Sequence, residues 1–258
     1  MVFLESISPE IIVFLLIAGF VAAFIDSVVG GGGLISLPAM MLTGLPLNVA
    51  LGTNKVASTM CSITSTLSFL RSGKIDRKLA ACLFPLSFIG SVLGAYTVRH
   101  IPSEFLKPLV VILLIIIAIY TVFKKDWGSE STYFGLTDKT RYLIGTAAFG
   151  IGFYDGFFGP GAGSFFIFSF LLLGFDFVTA AGNAKVMNFA SNIGAVLTFI
   201  YLDSVNFQYG LIMGVAMIAG AIAGSRLAIK SGVAYVRPLF IGVTSLLIGK
   251  QFWDLIMK

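Results

Sequence analysis

The sequence predicts an all-α polytopic membrane protein built from two homologous repeats, and three observations predict it. First, 57% of the 258 residues are hydrophobic, only 11% are charged, and the mean hydropathy is +0.99. A soluble domain carries about 25% charged residues. Second, apolar runs of about 20 residues, long enough to cross a bilayer, fill most of the chain. Third, the chain repeats itself. Gly52-Thr53-Asn54-Lys55-Val56 recurs as Gly182-Asn183-Ala184-Lys185-Val186 at an offset of 130 positions. Gly44 and Gly174, Gly90 and Gly220, and Gly94 and Gly224 keep that offset. Asp26 and Asp155, and Gly30 and Gly159, match at 129.

The elements follow in order. A first span runs over 11–29, with Pro9 suited to a helix start. Gly30-Gly31-Gly32-Gly33 interrupts it, and a short apolar segment over 34–43 ends at Gly44. A long helix over 47–70, a basic loop over 71–78 and spans over 79–98 and 105–123 complete the first repeat, residues 1–123. Residues 124–141 form the one polar linker of any length. The second repeat, 142–258, has a span over 142–158, a break at Gly159-Pro160-Gly161 and a short segment over 164–173. A long helix over 178–202 and spans over 209–229 and 236–257 follow. That makes eight long spans and two short, glycine-broken segments.

The short segments rise only about 15–18 Å as helices, against a hydrocarbon core of about 30 Å. As re-entrant segments they give eight spans and parallel repeats. As short crossings they give five spans per repeat and an inverted pair. Loop charge favours the inverted pair. Arg71, Lys74, Arg77 and Lys78 make the first inter-helix loop basic, whereas its counterpart over 201–208 has no basic residue and carries Asp203. Equivalent loops of opposite character belong on opposite sides of a membrane. The basic loop, the linker and the loop with Lys230 and Arg237 are then cytoplasmic.

Charge and composition also exclude function classes. The net charge of +5 comes from basic residues clustered in short loops, so nucleic acid is not an expected partner. The first ten residues lack Lys and Arg and carry Glu5 and Glu10, unlike a signal peptide, so the first span is expected to be retained. Cys61 and Cys82 lie in apolar stretches and read as buried packing residues, and His100 reads as an interfacial residue. No catalytic group, metal set or cofactor is expected, and an enzyme is not.

Three sets of residues carry chemistry. Lys55 lies eight residues into its helix, about 12 Å deep. Ser58 and Ser62 share its face at i+3 and i+7, and Lys185, Asn188 and Asn192 repeat the pattern. Two cationic stripes edged with hydroxyls and amides would bind an anion with several oxygens. Asp26 and Asp155 each end a span four residues before a glycine. Either could pair with a lysine, and an incoming anion that captured the lysine would free the carboxylate to take a proton. The glycine breaks lead into short helices whose first amides and dipole form a ready anion site. Broken helices at matching positions in two halves point to the binding site of a secondary transporter. Neither break is followed by the Lys-Ser/Thr of a phosphate-binding loop. Gly90/Gly94 and Gly220/Gly224 read as helix-packing GxxxG pairs.

At these motifs the chain resembles the sulfite exporter TauE/SafE family over nearly its whole length. The carrying strings are Asp26-Ser27-Val28-Val29-Gly30-Gly31-Gly32-Gly33-Leu34-Ile35 and Gly52-Thr53-Asn54-Lys55 in the first half. In the second half they are Gly152-Phe153-Tyr154-Asp155-Gly156-Phe157-Phe158-Gly159-Pro160-Gly161-Ala162-Gly163-Ser164-Phe165 and Asn183-Ala184-Lys185 with Ser191-Asn192-Ile193-Gly194. The resemblance implies a multi-pass permease of the cell (inner) membrane. Family members are associated with moving sulfite, organosulfonates or other small organic anions, commonly outward.

The expected function is therefore export of a small anion such as sulfite or an organosulfonate, with proton coupling through Asp26 and Asp155. A passive anion channel, or a transporter of another small organic solute, is the alternative. The expected substrate-binding residues are Lys55, Lys185, Asn54, Ser58, Ser62, Asn183, Asn188, Asn192, Gly31, Gly32 and Gly161. The expected partners are the anion and the lipid bilayer, with a homodimer left open.

Overall fold

Local signals at the helix ends set most element boundaries. In the computed structural model, residues 7–98, 128 and 130–232 are described, together with 235, 238 and 242. The predicted span over 105–123, nearly all of that over 236–257, most of the linker's start, His100 and Arg237 lie outside the described residues. Eight helices are present among the described residues: α1 Pro9–Val29, α2 Gly33–Met41, α3 Leu47–Arg71, α4 Arg77–Thr97, α5 Asp138–Phe157, α6 Ala162–Leu172, α7 Phe177–Tyr201 and α8 Phe207–Ser231. Asp76, Asp176 and Asn206 cap α4, α7 and α8, each side chain accepting two first-turn amides, and Thr137 and Thr140 form a capping box on α5. Such caps satisfy donors that have no partner inside the helix.

Among the described residues three helices, α1, α4 and α8, are long and apolar enough to cross a membrane. Their outward faces carry large apolar side chains, Val13, Ile17 and Phe20 on α1, Leu93 and Tyr96 on α4, Leu211 and Val215 on α8. A contiguous apolar exterior of this kind would aggregate in water and suits a bilayer. Cys82 also faces outward, contrary to the sequence reading of a buried residue, because its position on α4 falls on that lipid-type face. Cys61 is buried as expected.

Small residues let the helices close on one another. Gly90 and Gly94 of α4 press on the backbone of Phe149 and Phe153 of α5, and Gly152 and Gly156 return the contact on Ser87 and Ser91. Gly220 and Gly224 of α8 press on Phe20 and Phe24 of α1 in the same way. Rising numbers meet rising numbers in both seams, so each pair is parallel, and each joins the two repeats. The packing role read from the GxxxG spacing is therefore the one these glycines have. A Gly94→Val change should lower stability by about 1–3 kcal/mol, because the added atoms meet a carbonyl that cannot move. Thermal unfolding in detergent reads this directly, and an unchanged midpoint would mean the seam is looser than described.

The two long polar helices, α3 and α7, form the centre and run antiparallel. Gly52 near the start of α3 lies against Phe199 and the carbonyl of Ser204, just past the end of α7. Gly182 near the start of α7 lies against Phe69 and the carbonyl of Lys74, just past the end of α3. Side chains fasten the same contacts: Thr53 accepts the amide of Asn206 (2.8 Å), and Asn183 accepts the amide of Asp76 (3.0 Å). Each helix is thus seated on the turn that follows the other, and the partners in the two contacts are themselves 130 positions apart.

Candidate functional site

The two glycine breaks cross each other beside this central pair. Gly30 ends α1 in the left-handed region (φ 81°), and Gly159 and Gly161 carry the second break at φ 97° and 85°. Only glycine adopts these angles without strain. At the crossing, the Ser164 amide donates to Gly30 O (3.0 Å), and its hydroxyl donates to Val29 O (2.9 Å). Tyr154 donates to Pro160 O (2.6 Å), bracing the second break from the side. The breaks themselves take up most first-turn amides of α2 and α6: Leu34 donates to Gly31 O, Ile35 and Ser36 to Gly32 O, Ala162 to Gly159 O and Phe165 to Gly161 O.

Against this crossing lie four charged side chains in two crossed pairs. Lys55 of α3 donates to Asp155 Oδ1 of α5 (2.7 Å), and Lys185 of α7 donates to Asp26 Oδ2 of α1 (2.6 Å). Each lysine pairs with the aspartate of the other repeat. Asp155 also accepts the Ser191 hydroxyl, and Asp26 Oδ1 accepts the Gly32 amide (3.2 Å) with the Cys61 thiol 3.8 Å from Oδ2. Cys61 and Ser191 are 130 positions apart, so each aspartate is met by the same position of its own repeat. Sequence reading takes Cys61 for a packing residue and gives Ser191 a place in a family string but no site role, although the repeat offset pairs them.

The pairs are not equivalent in exposure. The side chains of Lys55 and Asp155 are 4% and 5% exposed, whereas Lys185 is fully buried and Asp26 is 19% exposed. A cavity of about 30 Å³ opens at the first pair. Lys55, Asn54, Ser58, Asp26, Asp155, Asn188, Asn192, Gly32 and Gly161 line it, and Lys185 does not. Asn192 Oδ1 accepts a second Lys55 proton (3.1 Å).

The structure thus brings most of the expected residues together and sets four apart. Lys185 reaches the site only through Asp26. Ser62 is buried with its hydroxyl on Thr59 O (3.2 Å). Asn183 spends both ends of its amide elsewhere, on the Asp76 amide and Thr179 O. Gly31 lies in the break but outside the cavity lining. Ser36 lines the cavity with its hydroxyl unpartnered, and no motif singled it out. Among the described residues no cluster of three or more metal-ligating side chains occurs.

A family model described as sulfite exporter TauE/SafE matches residues 15–250. The chain belongs to the sulfite exporter TauE/SafE family. It is similar to the probable membrane transporter protein ORF9 of Sinorhizobium sp, with 38% identity over 242 residues, 93% of this chain and 92% of the relative. The probable membrane transporter protein YfcA of Escherichia coli (strain K12) is 35% identical over 257 residues, 97% and 93% of the two chains. A probable membrane transporter protein of Haemophilus influenzae is 33% identical over 256 residues, 96% and 97% of the two chains. No solved structure matches. The Lys55 and Lys185 pairs and both breaks fall inside the residues that match the TauE/SafE model.

Proposed function

We propose that the chain is a secondary transporter that exports a small oxyanion such as sulfite or an organosulfonate by alternating access, as a multi-pass protein of the cell (inner) membrane. One observation carries the reading: two lysines, one from each repeat, are held in crossed ion pairs at a pair of crossing helix breaks. Family membership and relatives named as transporters support the coarser statement that this is a membrane transporter. Ionisable groups are costly within a membrane and mark substrate or ion pathways.

Lys55 supplies the charge that binds the anion, and Ser58, Asn188 and Asn192 orient it. The anion competes with Asp155 for Lys55. A carboxylate that loses its lysine is left buried and unpaired, and taking a proton relieves it. Asp26 sits between Lys185 of α7, Cys61 of α3 and the Gly32 amide, and its partial exposure suits it to exchange that proton. Labelled sulfite flux in proteoliposomes is expected to saturate and to rise with an imposed pH gradient. Asp26→Asn/Lys185→Met, which leaves no unpaired buried charge, is expected to keep sulfite exchange and lose the gradient response. Wild-type flux that ignores the gradient would count against coupling, and unitary currents in a planar bilayer would replace the permease by a channel.

The antiparallel α3 and α7, each seated on the other's following turn, support the inverted arrangement. With Cys61 and Cys82 changed to serine, an impermeant thiol reagent should label Ser72→Cys only from the cytoplasmic face and Asp203→Cys only from outside. Both positions are exposed. Labelling of the two from one face would overturn the inverted pair.

A further inference from the structure

We propose that the cargo of this site is a singly charged oxyanion that carries its own hydrogen-bond donor, and that Asn54 and Asn188 select it through that donor. The inference rests on the reading of the chain as an anion permease.

Unsatisfied acceptors are the first ground. Among the described residues, four buried side-chain polar atoms lack a partner: Ser36 Oγ, Asn54 Oδ1, Asn188 Oδ1 and Thr66 Oγ1. Three of the four belong to residues lining the cavity beside Lys55. Ser36 is fully buried, Asn188 is 5% exposed and Asn54 is 7% exposed. Buried polar atoms are nearly always hydrogen-bonded, and an orphan among them marks a partner still to come. Two of these three atoms are amide oxygens, which only accept.

A bare oxyanion can only accept as well. It would satisfy the third proton of Lys55, which gives its other two to Asp155 and Asn192. It would offer the two amide oxygens nothing. Water can supply those donors, since about 30 Å³ is room for one or two molecules. A cargo that displaces the waters without replacing their hydrogen bonds loses affinity. A cargo bearing O–H or N–H beside its anionic oxygens replaces them.

Charge is the second ground and is independent of the first. Lys55, Lys185, Asp26 and Asp155 sum to zero. A dianion would bring two uncompensated charges into a buried site, and a hydrogen-bearing monoanion brings one. The same proton that lowers the charge provides the donor. The internal symmetry repeats neither amide selector: at the 130-position offset Asn188 matches Ser58. The position matching Asn54 is Ala184, beside the lysine that does not reach the cavity.

Sulfamate and methanesulfonate test this, since both are monoanions with the same SO3 head and differ in NH2 against CH3. In calorimetric titration of the purified protein in detergent, sulfamate is expected to bind at least tenfold more tightly. In Asn54→Leu/Asn188→Leu the ratio should fall to about one, because sulfamate loses more affinity than methanesulfonate. Equal affinities in the wild type would overturn the donor requirement and leave the anion permease standing, even if the double variant failed to fold. Binding of neither anion would overturn both.

Discussion

Replacing Lys55 by methionine is expected to abolish saturable sulfite flux and to destabilise the protein at the same time. The two effects have separate causes. Removing the ammonium leaves the Asp155 carboxylate, 5% exposed, with the Ser191 hydroxyl and no counter-charge. Breaking a buried pair from one side costs about 3–5 kcal/mol, more than the pair itself contributes. Removing both partners returns most of that loss, because no buried charge remains. Lys55→Met/Asp155→Asn should therefore recover much of the thermal midpoint lost by the single variant, and none of the flux. If flux returned along with stability, Lys55 would be a helix fastener and the cavity beside it would not be a binding site. Lys185→Met supplies the contrast. Lys185 lies outside the cavity, so it should lose stability for the same reason, through Asp26, while residual binding of the anion persists.

That contrast marks how far the sequence could be read. The offset of 130 positions identifies Lys55 and Lys185 as equivalent, and the glycine breaks identify where helices stop. Both follow from covalent order and local conformational preference. Which lysine meets which aspartate does not. Equivalence relates residues between repeats but leaves open whether contacts form within a repeat or across the pair, and here both ion pairs cross. Asn183 shows the same limit. Its position beside Lys185 suggested a ligand, yet it matches Thr53, and both fasten the cap of a helix in the opposite repeat. The difference between the halves was legible in part. Asn54 against Ala184 already breaks the symmetry, and the cavity forms on the side that kept the amide. Ser36 is not legible, because a lone serine in an apolar helix carries no pattern until its neighbours are known.

The glycine breaks allow one test of the crossing itself. Gly30 and Gly44 both sit at positive φ, 81° and 85°. An alanine at either pays the left-handed strain of about 1–2 kcal/mol. Their surroundings differ. A Cβ at Gly44 has nothing within 4 Å, whereas one at Gly30 would overlap the backbone of Gly163 and Ser164. Those atoms are the crossing point of the two repeats, and the Ser164 amide bonded to Gly30 O fixes them there. Relief would require the two breaks to separate, which withdraws α2 and α6 from the cavity. Gly44→Ala should therefore fold and transport with a small loss of stability. Gly30→Ala should lose about 1–3 kcal/mol more through overpacking and lose transport as well. Equal thermal midpoints for the two variants would mean the breaks are not in contact, and the site would have to be rebuilt without their crossing.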